Sequence, residues 1–274
     1  MLGVGIIGCG ALGSILAKEI DIGEAGEVRL VGVLDKKMEA AEKLSKTLRK
    51  KPKIFKTIEE MLADKEIDIV VETASQEAVR QYSEKILKAG KDLVILSVGA
   101  LADKKLLSSL IKIAKKTGKK IYVPSGAILG VDGIKAISMR EVDEVLIITR
   151  KPPRALSYSE YVKRKRIDLK KMRHPKVIFE GPAKEAVKFF PASVNVAATV
   201  SLAGVGFDKT KVKIIVDPTL KRNIHEIHIR GVAGEYSIIA KNLPTAESAK
   251  TSMLAALSTV RLLKSLQEPL KIGE

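Results

Sequence analysis

The sequence of 274 residues is poor in several residue types, and each shortage narrows its possible functions. It contains one cysteine, Cys9, which excludes an intrachain disulfide framework and argues against a cysteine-based metal site. Tryptophan is absent and aromatic residues make up 4% of the chain, too few for a platform that stacks nucleic-acid bases. No apolar run reaches the roughly 18 residues of a membrane helix, and the amino terminus has no signal-peptide pattern. We therefore expect a cytoplasmic protein that does not bind membranes.

Positive charge, in contrast, is abundant, with a formal net charge of +17 at pH 7. Such an excess can attract nucleic acid, acidic membranes or anionic small molecules, and its sign does not choose among them. Asparagine and glutamine are scarce whereas lysine and glutamate are plentiful, a bias typical of proteins from thermophiles. We interpret the charge as a solvated thermophile surface and expect no nucleic-acid partner. A non-enzymatic nucleotide-sensing or nucleic-acid-binding protein is the alternative.

The segment GVGIIGCGALGSILAKEI, residues 3–20, passes from an apolar strand through three glycines into a helical pattern. In a G-x-G-x-x-G loop at this place, Gly8 makes the tight turn, Gly10 lets the backbone approach a pyrophosphate, and Gly13 lets helix and strand pack closely. The amino end of the helix offers unpaired amides to the phosphates. Asp35 ends the next strand, where an acid binds the adenosine ribose. The pattern predicts a dinucleotide site, the alternative being a structural turn without a ligand.

Asp35 favours NAD as the cofactor, because a carboxylate repels the 2′-phosphate of NADP. Lys36 and Lys37 follow at once and could neutralise that phosphate, so the sequence leaves NADP open.

Strands alternate with helices through residues 1–123, which predicts an α/β fold of the Rossmann type with a doubly wound parallel sheet. From about residue 140 the strands are separated mostly by turns, with a helix-like stretch at 195–206. Residues 124–245 are therefore predicted to form a smaller α+β domain with a mixed or antiparallel sheet, for substrate binding and dimerisation. Within residues 246–274, an apolar helix at 250–266 is expected to return to the first domain. An open sheet in the second domain favours a homodimer.

Histidine is the natural acid or base near neutral pH, and the chain has three. His174 lies in a basic segment, residues 161–176, and is expected to be exposed. His225 and His228 lie on one predicted strand and face opposite sides. His225 shares its face with isoleucines, which makes it the candidate catalytic residue, a buried structural histidine being the alternative.

Three segments carry a more specific resemblance. They are PSGAILGVDGI (124–134), SVNVAATVSLAGVGFDKTKVKIIVDPTLKRNIHEI (193–227) and KTSMLAALS (250–258). Together with the glycine loop they resemble the L-aspartate dehydrogenase family over nearly the whole chain. The resemblance implies NAD(P)-dependent oxidation of L-aspartate to iminoaspartate, which feeds quinolinate and NAD synthesis or hydrolyses to oxaloacetate and ammonia.

The resemblance also implies site residues. It gives His225 the acid/base role, and it places Ala127 and Asn195 against the cofactor near its nicotinamide end. An ordinary helix N-cap is the alternative for Asn195. Candidates for holding the substrate carboxylates are Lys250 and Thr251, at the predicted start of the last helix, and Arg222. The nearest rival function is an NAD(P)-dependent oxidoreductase of the same two-domain plan, such as a dihydrodipicolinate reductase or homoserine dehydrogenase, that acts on another small acid.

Overall fold

A computed structural model describes residues 1–157, 159–191, 194–245 and 248–273, with only the backbone described at 244 and 248–251. The described chain forms two compact units. One comprises residues 1–124 and 255–274, and the other comprises residues 125–254.

A six-stranded parallel sheet forms the first unit, in the order β3-β2-β1-β4-β5-β6. Its strands are β1 (Leu2–Ile7), β2 (Val28–Leu34), β3 (Lys53–Phe55), β4 (Ile69–Glu72), β5 (Asp92–Ile95) and β6 (Ile121–Tyr122). The strand order reverses between β1 and β4, so this edge is the switch point at which doubly wound sheets bind ligands. The predicted Rossmann-type fold is confirmed.

Helices connect these strands, because parallel neighbours require crossover connections. They are α1 (Ala11–Asp21), α2 (Met38–Thr47), α3 (Ile58–Ala63), α4 (Gln76–Lys88) and α5 (Lys104–Thr117), with a short 3₁₀ helix at Val98–Ala102. Side chains of Thr57, Ser75 and Asp103 cap the amino ends of α3, α4 and α5 by accepting backbone N–H groups. Gly118 ends α5 in the left-handed conformation.

A mixed sheet organises the second unit, in the order β11-β10-β7-β9-β8, with β7 and β9 parallel and the other pairs antiparallel. Its strands are β7 (Val142–Lys151), β8 (Lys176–Pro182), β9 (Lys211–Val216), β10 (Asn223–Gly231) and β11 (Gly234–Asn242), followed by a ribbon of β12 (Pro244–Thr245) and β13 (Ser248–Ser252). Its helices are α6 (Val131–Ile137), α7 (Pro153–Leu156), α8 (Glu160–Arg164), α9 (Ala183–Phe189) and α10 (Asn195–Ala203). The mixed sheet predicted for this region is therefore confirmed.

The last helix, α11 (Met253–Gln267), places Val260 and Leu263 in the hydrophobic core of the first unit, together with Leu16 and Ile20 of α1. The sequence prediction of a helix beginning at residue 250 is wrong. Residues 250–252 are the end of β13, and the helix begins at Met253.

In the second sheet, the paired strands β7 and β10 alternate between buried positions and more exposed ones over most of their length. Along β10, Asn223, His225, Ile227 and Ile229 are buried, and the residues between them face the other side. We call the side that carries His225 the buried face of the sheet and the opposite side its open face. Among the described residues, no helix is long and apolar enough to cross a lipid bilayer.

Candidate functional site

The loop between β1 and α1 requires glycine at the first and third glycine positions of the G-x-G-x-x-G motif. Gly8 has a φ of +100°, and an added Cβ would lie 2.9 Å from the backbone of Ala74. At Gly13 an added Cβ would lie 1.9 Å from the carbonyl oxygen of Gly8, so any side chain would force α1 away from the loop. Both positions have the geometry that the sequence predicts.

Gly10 differs from its two neighbours in the motif. Its φ of −74° and ψ of −164° are accessible to any residue, and an added Cβ would meet no atom within 4 Å. Neither backbone conformation nor packing therefore explains the glycine. The open space beside Gly10, at the amino end of α1, fits the close approach of a diphosphate to the backbone.

Asp35 follows β2 and joins that strand end to the glycine loop. Its Oδ2 accepts a hydrogen bond from the Cys9 backbone N–H at 2.7 Å, and its Oδ1 accepts one from Lys37 N–H at 2.9 Å. The side chain is half-buried, whereas Lys36 and Lys37 are exposed. Burial, followed by the nearby Asp35 charge, raises the pKa of the Cys9 thiol to about 12. The cysteine is therefore a neutral packing residue.

Sequence reasoning missed Glu72, a charged residue at the end of β4 that is 1% exposed. Its Oε1 accepts hydrogen bonds from the N–H groups of Ala74 and Ser75 and from the Ser97 hydroxyl, and its Oε2 accepts one from the Ser97 N–H. Burial raises the pKa of the Glu72 carboxyl, and these donors oppose the rise. An acid directly after a buried apolar strand, the same signal that identified Asp35, could have found it.

Glu72 orders the segment that packs against the glycine loop. Thr73, the next residue, donates from its hydroxyl to the Gly8 carbonyl at 2.8 Å. Glu72 thus links the ends of β4 and β5 to the predicted cofactor loop.

In the second unit, His225 is 4% exposed, and its Nδ1 lies 3.0 Å from the hydroxyl of Thr149, its direct partner on β7. Burial, and then the positive charge of Lys151, lower the pKa of His225 to about 3. The imidazole is therefore neutral at physiological pH. His228 lies on the open face, where its Nδ1 contacts the Ser237 hydroxyl.

A second row of polar residues lies beside this pair on the same buried face. Asn223 pairs with Asn242 on the neighbouring strand β11. On the opposite side of β10, Ile224 pairs with Arg150 of β7, so extending this register by one residue brings Lys151 next to Asn223. Asn223, Asn242 and Lys151 are all buried. The Asn242 side-chain amide donates to the carbonyl oxygen of Ala127 at 2.8 Å, which fixes the loop of the predicted cofactor residue.

The other predicted residues lie on other segments of the second unit. Asn195 is the first residue of α10 and Val194 holds the N-cap position, so the N-cap interpretation of Asn195 is wrong. Arg222 is exposed just before β10, and His174 is exposed as expected. The side chains of Lys250 and Thr251 lie outside the described residues. Within the described residues, no cluster of His, Cys, Asp and Glu could hold a metal ion.

A six-stranded Rossmann-type unit with a dinucleotide loop, joined in one chain to a unit that carries a buried imidazole, defines a pyridine-nucleotide-dependent dehydrogenase. The family model "Aspartate dehydrogenase, C-terminal" matches residues 132–266, and the model "Homoserine dehydrogenase, NAD binding domain" matches residues 8–124. The chain belongs to the L-aspartate dehydrogenase family, because it is 46% identical over 273 residues to the L-aspartate dehydrogenase of Methanosarcina acetivorans, with 100% of both chains covered.

Other relatives agree with this assignment. The L-aspartate dehydrogenase of Methanocaldococcus jannaschii is 41% identical over 273 residues, again with 100% of both chains covered. The crystal structure of aspartate dehydrogenase from Thermotoga maritima superposes with a TM-score of 0.78 at 30% identity, covering 100% of both chains. The family resemblance inferred from the sequence is confirmed.

Proposed function

We propose that this protein oxidises L-aspartate to iminoaspartate with a pyridine nucleotide as the hydride acceptor. The observation that carries the proposal is the buried, neutral His225 on β10 of the second unit. Thr149 on the neighbouring strand β7 holds its imidazole, and Lys151 lies two residues further along β7. A neutral imidazole can accept a proton, and a neighbouring ammonium suits a substrate that carries carboxylates.

The glycine loop is proposed to hold the cofactor. Gly8 and Gly13 shape the loop, Gly10 leaves space for the diphosphate, and Asp35 receives the ribose hydroxyls. The Asp35 carboxylate supports NAD as the preferred cofactor. The exposed Lys36 and Lys37 beside it keep NADP as a second candidate, and comparing kcat/KM for the two cofactors decides between them.

His225 is proposed to accept one proton from the substrate ammonium, which leaves a neutral amine. A bound nicotinamide cofactor would supply the acceptor for the hydride that leaves Cα. The nitrogen lone pair then forms the C=N bond of the iminium product, so one proton and one hydride leave the substrate. His225 can also activate water for hydrolysis of the imine.

Further roles are proposed on the family resemblance. Ala127 and Asn195 are assigned to the nicotinamide end of the cofactor, and the support for Ala127 is the anchoring of its carbonyl by Asn242. Arg222, Lys250 and Thr251 remain candidates for holding the substrate carboxylates. Iminoaspartate is a precursor of quinolinate in the family, so we also propose a cytoplasmic role in NAD synthesis.

A homodimer is proposed to form through the open face of the second sheet. That face carries apolar side chains, with Ile239 53% exposed, next to the Arg150–Glu226 ion pair at 2.7 Å. A mixture of apolar groups and both charge signs suits a self-complementary two-fold contact. Sedimentation velocity should show a dimer for the wild type and a monomer for Ile239→Lys, and a monomeric wild type would contradict this proposal.

The function is tested by supplying purified protein with NAD or NADP and a panel of amino and hydroxy acids at elevated temperature, while absorbance of the reduced cofactor is followed. We expect L-aspartate to give the highest kcat/KM, and His225→Ala to lose most of this activity while it still binds NADH. If another acid is oxidised and L-aspartate is not, the assignment of L-aspartate as the substrate is wrong. A salt-dependent gel shift with DNA and no dehydrogenase turnover would instead favour a nucleic-acid-binding protein.

A further inference from the structure

A buried hydrogen-bond acceptor next to His225 has no partner in the structure. Asn223 is 4% exposed, and its side-chain Oδ1 is fully buried without a hydrogen bond. Buried polar atoms are nearly always paired, because an unpaired acceptor loses its hydration without compensation. An orphan acceptor inside a catalytic unit is therefore explained best by a donor that arrives with the ligand.

The position of Asn223 limits what that donor can be. Asn223 and His225 project from the same face of β10, two residues and about 7 Å apart along the strand. Ile224 pairs with Arg150, so the antiparallel register extends to place Lys151 beside Asn223, and this buried lysine supplies a cation on the same face. An acceptor, a base and a cation thus lie side by side.

We propose that Asn223 Oδ1 accepts a hydrogen bond from the amino group of the substrate and that Lys151 pairs with one of its carboxylates. This assignment rests on the proposed oxidation of an amino acid. The substrate ammonium gives one proton to His225 and keeps two N–H groups, one of which binds Asn223. The amine is then held with its lone pair available to form the C=N bond.

The same arrangement selects amino acids over hydroxy acids. A hydroxyl group has a single hydrogen, so it can satisfy His225 or Asn223 but not both at once. A hydroxy acid would therefore leave one buried acceptor unpaired, and sites of this kind reject such analogues strongly. Asn223 is in this respect a specificity residue for the amino group.

The test compares L-aspartate with succinate, a dicarboxylate of the same chain length that has no amino group. Asn223→Leu keeps a similar volume and removes the acceptor. We expect it to lower kcat/KM for L-aspartate by about tenfold or more, while the inhibition constant of succinate changes by less than about threefold. Lys151→Met should weaken both ligands by about tenfold or more, because both carry carboxylates. Lys188→Met, at an exposed position on α9, is the matched control and should change neither constant.

Folding and cofactor binding are checked separately by thermal unfolding and by NADH fluorescence titration, both of which should match the wild type in Asn223→Leu. If the leucine variant does not fold, Asn223→Ala is measured in the same way. An equal loss for succinate and L-aspartate, or an unchanged kcat/KM, would overturn the assignment of Asn223. Wild-type turnover of L-aspartate is measured first, so a failure of the proposed function is seen independently of the variants.

Discussion

Replacing Gly10 by alanine should separate cofactor binding from folding. The backbone conformation of Gly10 is open to alanine, and the new Cβ would meet no protein atom within 4 Å. Alanine is a poorer N-cap residue than glycine by up to about 1 kcal/mol, but it also reduces the freedom of the unfolded chain by about 0.4–1 kcal/mol. The two effects nearly cancel, so we expect the Tm to move by no more than about 3 °C.

The effect on the cofactor should be much larger. The added methyl group would occupy the space through which the diphosphate approaches the loop, and a misfit of one methyl group costs about 1–3 kcal/mol. The Kd for NADH should therefore rise by about 5-fold to 150-fold. Fluorescence titration of NADH gives the Kd, and thermal unfolding of the unliganded protein gives the Tm.

Gly13→Ala is the matched control, because its Cβ would lie 1.9 Å from the Gly8 oxygen and 2.7 Å from Thr73 Oγ1. Relieving these overlaps should cost about 1–3 kcal/mol of stability, so this variant should lose both Tm and NADH affinity. A wild-type Kd in Gly10→Ala would refute the placement of the diphosphate at this loop. A Tm as low as that of Gly13→Ala would refute the argument that the space beside Gly10 is open.

Three further outcomes are expected. Thr149→Val removes the hydroxyl at 3.0 Å from His225 Nδ1, so kcat should fall by about tenfold or more and the pH profile of kcat should shift, while the affinity for NADH stays unchanged. Thr149→Ser should restore kcat and its pH profile, and an unaltered pH profile in Thr149→Val would contradict a role of Thr149 in positioning the imidazole. The pKa of His225 is about 3 in the folded protein and 6.5 in the unfolded reference, so only the unfolded state binds this proton between these pH values. The free energy of unfolding should therefore be unaffected by His225 above pH 6.5 and should fall by about 1.4 kcal/mol per pH unit as the pH falls toward 3. Urea unfolding should show this slope in the wild type, and a slope as steep in His225→Gln would contradict it. Glu72→Gln places an NH₂ group opposite donors from Ala74, Ser75 and Ser97, and should cost about 1–3 kcal/mol in urea unfolding. Gln76→Glu is the control, because it lies in the first turn of the neighbouring helix α4, is half-buried and keeps the oxygen that accepts from Arg80, so it should cost less than about 0.5 kcal/mol.

The first unit could be predicted from the sequence because local patterns determine it. The glycine loop, the buried β-branched strands and the amphipathic helices each fall within about 15 residues. The prediction missed β3 and α3, since three and six residues are too short for a periodic pattern to be recognised. The start of α11 was placed three residues too early because residues 250–252 continue β13.

The candidate site was only partly predictable, because it depends on strand register. The alternation of polar and apolar residues in β10 indicated which face His225 occupies. Nothing local to β10 shows that Thr149 and Lys151 lie opposite, more than 70 residues away in the chain. The sequence of β7 does contain a signal, because Thr149 and Lys151 occupy the same alternate, buried positions as the apolar residues Val145 and Ile147 before them. A threonine and a lysine at core positions of a strand are unusual enough to mark a site.

The surroundings of His225 connect substrate binding to its basicity. Burial and the charge of Lys151 hold its pKa at about 3, too low for an efficient base near neutral pH. A carboxylate of the proposed substrate, placed beside Lys151, would offset that charge and add an attraction of its own for a protonated imidazole. At about 6 Å and an effective dielectric constant of about 20, such an attraction is about 3 kcal/mol, or about two pKa units. We therefore expect a carboxylate-bearing substrate to raise the pKa of His225 and so to make it a better base, whereas the imidazole stays neutral in the protein without substrate.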